Sequence, residues 1–119
     1  MPVLTIDTNV PRDNVSITLV KKLVDIVAEN LGKPKQYVVV HVNPGQLMSW
    51  AGEDGSCAIG RLTSIGQINR SINTKTMAAV AGLLEAEPGV PSDKFYLTFE
   101  DIAPANIGWK KSTFADMFG

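Results

Sequence analysis

The chain of 119 residues repeats its own pattern once, at a shift of 57 positions that carries Pro34 onto Pro91. Each of these prolines follows a helical segment and precedes a β-rich run. The same shift carries residues 3–5 onto 60–62, and Val38 and Val40 onto Phe95 and Leu97. Each half therefore predicts a strand, a helix and a strand, followed by a short tail strand. The two halves together predict a single domain spanning residues 1–119.

Hydrophobic periodicity places the elements of each half. The predicted strands are residues 3–6, 37–42, 46–50, 57–65 and 95–99, and the predicted helices are 16–31 and 73–87. Asn14 or Ser16 is expected to cap the first helix. Residues at three- and four-residue steps are expected to face inward, namely Val20, Leu23, Val24, Val27 and Leu31 in the first helix and Met77, Val80, Ala81 and Leu84 in the second.

Two strand–helix–strand units predict an α+β fold, with a four-stranded mixed sheet and both helices on one face. Runs such as residues 37–42 are almost wholly apolar, which favours burial on both faces of the strand. No further helix is left to cover the second face of the sheet. Neighbouring subunits are therefore expected to cover it, and the alternative is a monomer with a wetted sheet face.

Composition excludes several classes of function. The net charge is −1 and the basic residues are scattered, which argues against nucleic-acid binding. No apolar run reaches the roughly 18 residues that a membrane span requires, so no membrane insertion is expected. The amino terminus lacks the pattern of a secretory signal, so the chain is expected to be made in the cytosol. Any extracellular role would require a non-classical route of export.

Metal, cofactor and thiol chemistry are not predicted. His41 has no cysteine or second histidine at ligand spacing, and it is interpreted as a structural or interface residue. No glycine-rich phosphate loop, Ser-His-Asp arrangement or pair of catalytic carboxylates stands out, and no cofactor is expected. Cys57 is the only cysteine, which excludes an intrachain disulfide.

Pro2 directly follows the initiator Met1, and removal of Met1 would leave a proline as the first residue. A terminal proline is a secondary amine on a rigid ring, whereas a proline within the chain is an amide without basicity. A free terminal amine titrates near pH ~8, and burial or a nearby cation lowers that value. Pro2 is thus a candidate general base. The alternative is an ordinary proline at the start of a strand.

A set of motifs spread from Met1 to Ala115 resembles the macrophage migration inhibitory factor family of the tautomerase superfamily. The resemblance implies a homotrimer of βαβ repeats, a keto–enol tautomerase centred on the terminal proline, and a secreted, cytokine-like role in animals. The motifs that carry it are Met1-Pro2, Thr8-Asn9-Val10-Pro11, Gly32-Lys33-Pro34, Tyr37-Val38-Val39-Val40-His41-Val42, Gln46-Leu47-Met48, Ser64-Ile65-Gly66, Ala105-Asn106-Ile107-Gly108-Trp109 and Ser112-Thr113-Phe114-Ala115.

The resemblance also implies roles for individual residues. Pro2 would be the catalytic base, and Lys33 would lower the pKa of its amine and attract an anionic substrate. Judged alone, Lys33 could instead be a helix C-terminal cation. Ser64 and Ile65 would line the pocket, with the Ile65 N–H directed at a substrate carboxylate. The remaining implied contacts are a wall of Tyr37, Ile107, Trp109 and Phe114, with Tyr96 and Thr98 contributed by the adjacent subunit.

The chain departs from the family pattern at several points. Thr98 stands where members often have asparagine, and Thr63 stands where well-known members have histidine. The Cys-x-x-Cys pair of some members is broken, because Gly60 follows Cys57 at that spacing, which excludes intramolecular dithiol chemistry. Residues 116–119 extend beyond the usual end of the family, and no function is predicted for them.

The implied substrate is a small aromatic α-keto acid of the phenylpyruvate type, and the implied partner is a second and third copy of the chain. A cell-surface receptor is a further implied partner. The rival hypothesis is therefore a receptor-binding, cytokine-like protein whose pocket is vestigial. The expected locations are the cytoplasm and, after non-classical release, the outside of the cell.

Overall fold

The computed structural model describes residues 1–118, and it contains the two predicted units. The first unit consists of β1 (Pro2–Thr8), α1 (Ile17–Leu31) and β2 (Val39–Asn43), and the second of β3 (Ala58–Ser64), α2 (Arg70–Ala86) and β4 (Phe95–Asp101). The chain ends in a two-stranded hairpin of β5 (Gly108–Trp109) and β6 (Ser112–Thr113), followed by the short helix α3 (Phe114–Phe118).

The four long strands form one mixed sheet in the order β2-β1-β3-β4. Within each unit the two strands are parallel, and the units meet where β1 runs antiparallel to β3. Leu4 and Leu62 of the central strands share a buried core with Leu23 of α1 and Val80 of α2. The predicted two-layer α+β fold, with both helices on one face of the sheet, is confirmed.

The uncovered face of the sheet is mixed in character rather than apolar. Burial alternates along β1, and the side chains that point away from the helices include Thr5 and Asp7. On β3 the outward positions hold Ile59, which is 47% exposed, and Arg61. The expectation that the long strands are apolar on both sides is therefore wrong, because their outer positions alternate between apolar, hydroxyl and charged residues.

Side-chain caps set the starts of both long helices. Ser16 caps α1, with its Oγ accepting a hydrogen bond of 3.1 Å from the Leu19 N–H. Asn69 caps α2 in the same way, with its Oδ1 accepting a hydrogen bond of 2.9 Å from the Ile72 N–H. This second cap explains why α2 begins at Arg70, three residues earlier than its apolar pattern predicted.

The residues that α1 and α2 bury differ slightly from the inward-facing residues that the sequence predicted. Leu19 is fully buried in α1, whereas Val20 and Val24 are only half-buried. Thr76 takes a fully buried place in α2 beside half-buried Met77, because its hydroxyl donates to the Ile72 carbonyl at 2.8 Å. A threonine that satisfies its own hydroxyl within the helix can occupy a core position.

The strand predicted over residues 46–50 is absent from the described protomer. Only an isolated bridge joins Trp50 to Glu53, and Leu47 is fully exposed. A β-strand needs a paired neighbour to satisfy its backbone. Of the hydrogen bonds that residues 46–50 make within residues 1–118, only that of the Gln46 N–H reaches a strand, where the Thr8 carbonyl at the end of β1 accepts it at 2.9 Å. Within residues 1–118, no helix combines the length and the apolar character needed to cross a membrane.

Candidate active site

The amino terminus is held at one end of the sheet. Pro2 begins β1 opposite Ser64, the last residue of β3, and its side chain is fully buried. Met1 precedes it at 9% exposure, and its carbonyl accepts a hydrogen bond of 3.4 Å from the Ile65 N–H. The first residues of the chain are therefore fixed on a rigid strand rather than left as a loose tail.

Lys33 is brought to this end of the sheet by the way α1 terminates. Gly32 adopts a left-handed conformation with φ of 62°, and the Lys33 N–H donates back to the Ala28 carbonyl at 3.0 Å. The side chain then extends to the carbonyl of Ile65, which accepts a hydrogen bond of 2.9 Å from Lys33 Nζ. Ile65 thus accepts a hydrogen bond from Lys33 with its carbonyl and donates one to Met1 with its N–H.

A cavity of about 290 Å³ lies over the amino terminus. One part of its wall carries the ammonium group of Lys33, and the rest of the wall is mainly apolar. The residues that line it are Met1, Lys33, Pro34, Tyr37, Ile65, Pro104, Phe114 and Phe118.

A second cavity, of about 250 Å³, shares Met1, Tyr37 and Phe114 with the first. Its other lining residues are Val3, Gln36, Val39, Ile107, Gly108 and Trp109. Met1 borders both cavities. Its removal would therefore make the nitrogen of Pro2 accessible from each of them.

Four aromatic rings among the residues that line these cavities form one cluster. Tyr37 meets Trp109 edge to face at a centroid distance of 5.5 Å, and Trp109 stacks on Phe114 at 5.8 Å. Phe118 lies 5.5 Å from Phe114 and 6.3 Å from Tyr37. Such offset and perpendicular contacts are favourable for aromatic rings, and the cluster offers both ring faces and ring edges to a ligand.

The amine at the start of the chain is in an environment that disfavours its protonated form. The pKa of the Met1 amino group is lowered, first by desolvation in the partly buried site and second by the positive charge of Lys33. An amine in such surroundings loses its proton at a lower pH than an exposed terminal amine does. It can therefore accept a proton from a substrate at that lower pH.

Four of the predicted site residues do not line the two cavities. Pro2 is one of them, because Met1 stands between its buried ring and both cavities. Ser64 is fully buried beside Pro2, and its hydroxyl has no hydrogen-bond partner among the described residues. Tyr96 and Thr98 lie on the uncovered face of the sheet, where they line a separate cavity of about 450 Å³. The structure brings together the other predicted residues, namely Lys33, Ile65, Tyr37, Ile107, Trp109 and Phe114.

Met1 and Phe118 are among the lining residues that sequence reasoning missed. Met1 lines both cavities, a position that no motif indicates. Phe118 lies in residues for which no function was predicted, although its four-residue spacing from Phe114 is the spacing of one helical face. Within residues 1–118, no group of three or more His, Cys, Asp or Glu side chains is placed to hold a metal ion.

Comparison with known proteins gives a consistent result. The family model described as "Macrophage migration inhibitory factor (MIF)" matches residues 1–115. The macrophage migration inhibitory factor of Meriones unguiculatus is 40% identical over 115 residues, which span 97% of this chain and 100% of that protein. The homolog from Brugia malayi is 39% identical over 114 residues, which span 96% of this chain and 99% of that protein.

Solved structures agree with this fold. The macrophage migration inhibitory factor of Trichinella spiralis superposes with a TM-score of 0.90 at 31% identity, covering 94% of this chain and 99% of the other. That of Toxoplasma gondii superposes with a TM-score of 0.88 at 33% identity, with 94% and 99% of the two chains covered.

Proposed function

Since this chain belongs to the macrophage migration inhibitory factor family, we propose that it is a keto–enol tautomerase that uses Pro2 as its general base. One observation carries the proposal. The amino terminus is seated at a cavity that combines a cation, a backbone N–H and a wall of aromatic rings. The substrate class is a small aromatic α-keto acid of the phenylpyruvate type.

The proposed chemistry is one proton transfer between carbon and oxygen. If Met1 is removed, the Pro2 nitrogen becomes a free secondary amine on a residue whose side chain is fully buried while Met1 is in place. The burial and the Lys33 charge that lower the pKa of the Met1 amine would act on this nitrogen too. The neutral amine removes the proton from the carbon beside the ketone, a C=C bond forms, and the carbonyl oxygen becomes negative. The same proton then returns to that oxygen, directly or through water, to give the enol.

Two groups would hold the substrate carboxylate. The Ile65 N–H donates to the Met1 carbonyl, and removal of Met1 would leave this donor free for a substrate oxygen. Lys33 Nζ, anchored on the Ile65 carbonyl at 2.9 Å, would supply the complementary charge. The Met1 carbonyl therefore stands in for a substrate oxygen at this position.

The aromatic ring of the substrate would pack on the cluster of Tyr37, Trp109 and Phe114. Offset and perpendicular ring contacts would orient it without a further hydrogen bond. Ile107 completes this apolar wall in the second cavity. The proposed substrate thus extends from the ammonium group of Lys33 to this aromatic cluster.

We further propose that three copies assemble and that the adjacent subunit completes the site with Tyr96 and Thr98. Tyr96 is 67% exposed on the uncovered face, and the Trp50 ring lies beside it at a centroid distance of 4.4 Å and a tilt of 46°. An exposed aromatic ring supported by a second ring is suited to insertion into a neighbour. The Thr98 hydroxyl donates to the Gly60 carbonyl at 3.2 Å. At this position the chain therefore has a short hydroxyl that is already hydrogen-bonded, in place of the longer asparagine amide that family members often have.

The alternative function is a receptor-binding, cytokine-like protein with a vestigial pocket, and the names of the relatives favour it. Either function outside the cell would follow release by a non-classical route from the cytoplasm. Binding to a cell surface requires an intact exterior but not a basic Pro2 nitrogen.

One variant separates the two functions. Insertion of a single alanine between Met1 and Pro2 converts the prolyl nitrogen into an amide without changing any other side chain. We expect phenylpyruvate ketonisation to fall by about 100-fold or more, the usual contribution of a general base, while the melting temperature is preserved. The control is the unmodified protein, with a first residue of Pro2 verified by mass spectrometry.

Full ketonisation by the alanine-inserted protein would exclude Pro2 as the base. Loss of ketonisation with undiminished binding to cells would show that the receptor function, if present, is independent of catalysis. Loss of both would tie the two activities to the same site.

A further inference from the structure

Residues 116–118 add a surface to the candidate pocket that the family match does not contain. The match ends at residue 115, and 115 residues of this chain span the whole of the Meriones unguiculatus relative. Helix α3 continues past that point to Phe118. The ring of Phe118 borders the same cavity as Lys33 and Ile65. This part of the pocket wall is therefore an addition carried by this chain.

The contacts of Phe118 place its ring against the predicted aromatic wall. Its centroid lies 5.5 Å from that of Phe114, with a tilt of 32°, and 6.3 Å from that of Tyr37, nearly perpendicular to it at 82°. These two neighbours fix the ring at one boundary of the cavity. A substrate ring resting on Phe114 or Tyr37 would meet Phe118 as its next neighbour.

Phe118 has apolar surface left to bury. Its side chain is 62% exposed despite the two ring contacts. Helix α3 is only five residues long, and its first turn is tied down by the Asp116 N–H, which donates to Thr113 Oγ1 at 3.2 Å. A large exposed ring at the border of a cavity gains stability when a second apolar ring covers it.

We propose that Phe118 is a specificity-determining residue, whose ring closes one side of the pocket on the aromatic ring of the substrate and limits the width of that ring. The inference rests on the proposed function, because it assigns a role at that same site. Removal of the ring has two consequences. A single-ring substrate loses one contact, and a wider substrate gains room.

The test compares two keto acids, phenylpyruvate with one ring and indolepyruvate with two fused rings. For Phe118→Ala we expect the KM for phenylpyruvate to rise about 3- to 10-fold, the value of one lost ring contact. We expect the change in KM rather than in kcat, because the Phe118 ring contacts the bound substrate equally in its ground state and in the transition state. The ratio of kcat/KM for indolepyruvate to that for phenylpyruvate should increase. Phe118→Leu, which keeps part of the bulk, should fall between alanine and the natural residue.

Met117→Ala is the matched control. Met117 is the neighbouring residue in α3, is 37% exposed and lines neither of the two cavities. It should leave KM and the substrate ratio as they are. Unchanged KM values in Phe118→Ala, or equal shifts in both variants, would overturn the role given to Phe118.

A binding measurement separates this inference from the proposed function. Titration with 3-phenylpropanoate, which has no ketone to enolise, can be followed by tryptophan fluorescence. Weaker binding in Phe118→Ala than in Met117→Ala would support the inference even in a protein without tautomerase activity. Equal binding by both variants would contradict it whether or not the protein turns over keto acids.

Discussion

Lys33 is the residue that links the electrostatics of the site to a measurable pH dependence. Its ammonium group is anchored on Ile65, and its charge is one of two causes that lower the pKa of the amine at the start of the chain. A nearby cation disfavours a second positive charge, so the amine loses its proton at lower pH than it otherwise would. A base that must be neutral is therefore active at lower pH when Lys33 is present.

Lys33→Ala should move the acidic limb of the kcat/KM profile to higher pH. Loss of the positive charge raises the pKa of the amine, so the amine stays protonated, and inactive, over a wider acidic range. The measurement is phenylpyruvate ketonisation as a function of pH. Lys35→Ala is the matched control, because Lys35 pairs with Asp25 at 2.8 Å on the exposed surface. An acidic limb that Lys33→Ala leaves in place would contradict the electrostatic role.

At the scale of single elements, the hairpin that carries Trp109 has an unfavourable turn. Lys110 and Lys111 form the two-residue loop between β5 and β6, with φ angles of 51° and 63°. Such loops favour asparagine and glycine, because a Cβ atom is crowded at positive φ. Lys110 has a compensating contact, since its Nζ lies 4.5 Å from the centroid of the Trp109 ring. Lys111 makes no such contact with an aromatic ring of residues 1–118, and it keeps the strained backbone.

Lys111→Gly should raise the free energy of unfolding by about 1 kcal/mol, because glycine adopts positive φ without a steric penalty. Urea unfolding followed by tryptophan fluorescence measures the change. Lys111→Ala is the control, since it removes the same charge but keeps a Cβ atom at positive φ. Equal stability of the glycine and alanine variants would show that charge rather than backbone strain sets the effect.

At the scale of the whole molecule, the predicted site residues lie at opposite ends of the sheet. Pro2 pairs with Ser64, whereas Tyr96 pairs with Ile59, five residues before Ser64 on β3. That separation is about 16 Å along the strand, so one protomer cannot place both residues on one small substrate. If both contribute, they must come from different subunits.

Mixing two inactive variants tests this shared site. Pro2→Gly supplies an intact Tyr96, and Tyr96→Ala supplies an intact Pro2. In a ring of subunits mixed at random in equal amounts, about a quarter of the sites pair the two intact residues. We expect ketonisation to rise toward that fraction of the natural activity after joint refolding. Variants mixed without refolding are the control, and activity that stays at the mean of the two variants would contradict a site between subunits.

Much of the architecture follows from local features of the sequence. The repeat that relates Pro34 to Pro91 predicted the two units, and the confirmed sheet has both helices on one face. Short-range signals of this kind depend on the period of apolar residues and on turn residues, both of which act within a few positions. The end of α1 at Gly32 is fixed in the same way.

The sequence-based predictions were wrong where the structure depends on contacts between residues far apart in the chain or on single side-chain hydrogen bonds. Residues 46–50 have the composition of a strand, but strand pairing depends on a partner that the protomer does not offer there. Thr76 occupies a core position that was expected to hold an apolar residue, because its hydroxyl donates a hydrogen bond within α2. The start of α2 moved because the Asn69 cap outweighed the apolar pattern.

The sequence by itself determined the two strand–helix–strand units, the two-layer fold and the identity of Pro2 as a candidate base, since the signals for each lie among neighbours in the chain. Only the tertiary structure decided which side chains share a cavity. It placed Lys33 on the Ile65 carbonyl across 32 positions, put Met1 on the wall of both cavities, and brought Phe118 against Tyr37. The physical reason is that distances between side chains far apart in the chain are set by how the layers pack, and no local period encodes that packing.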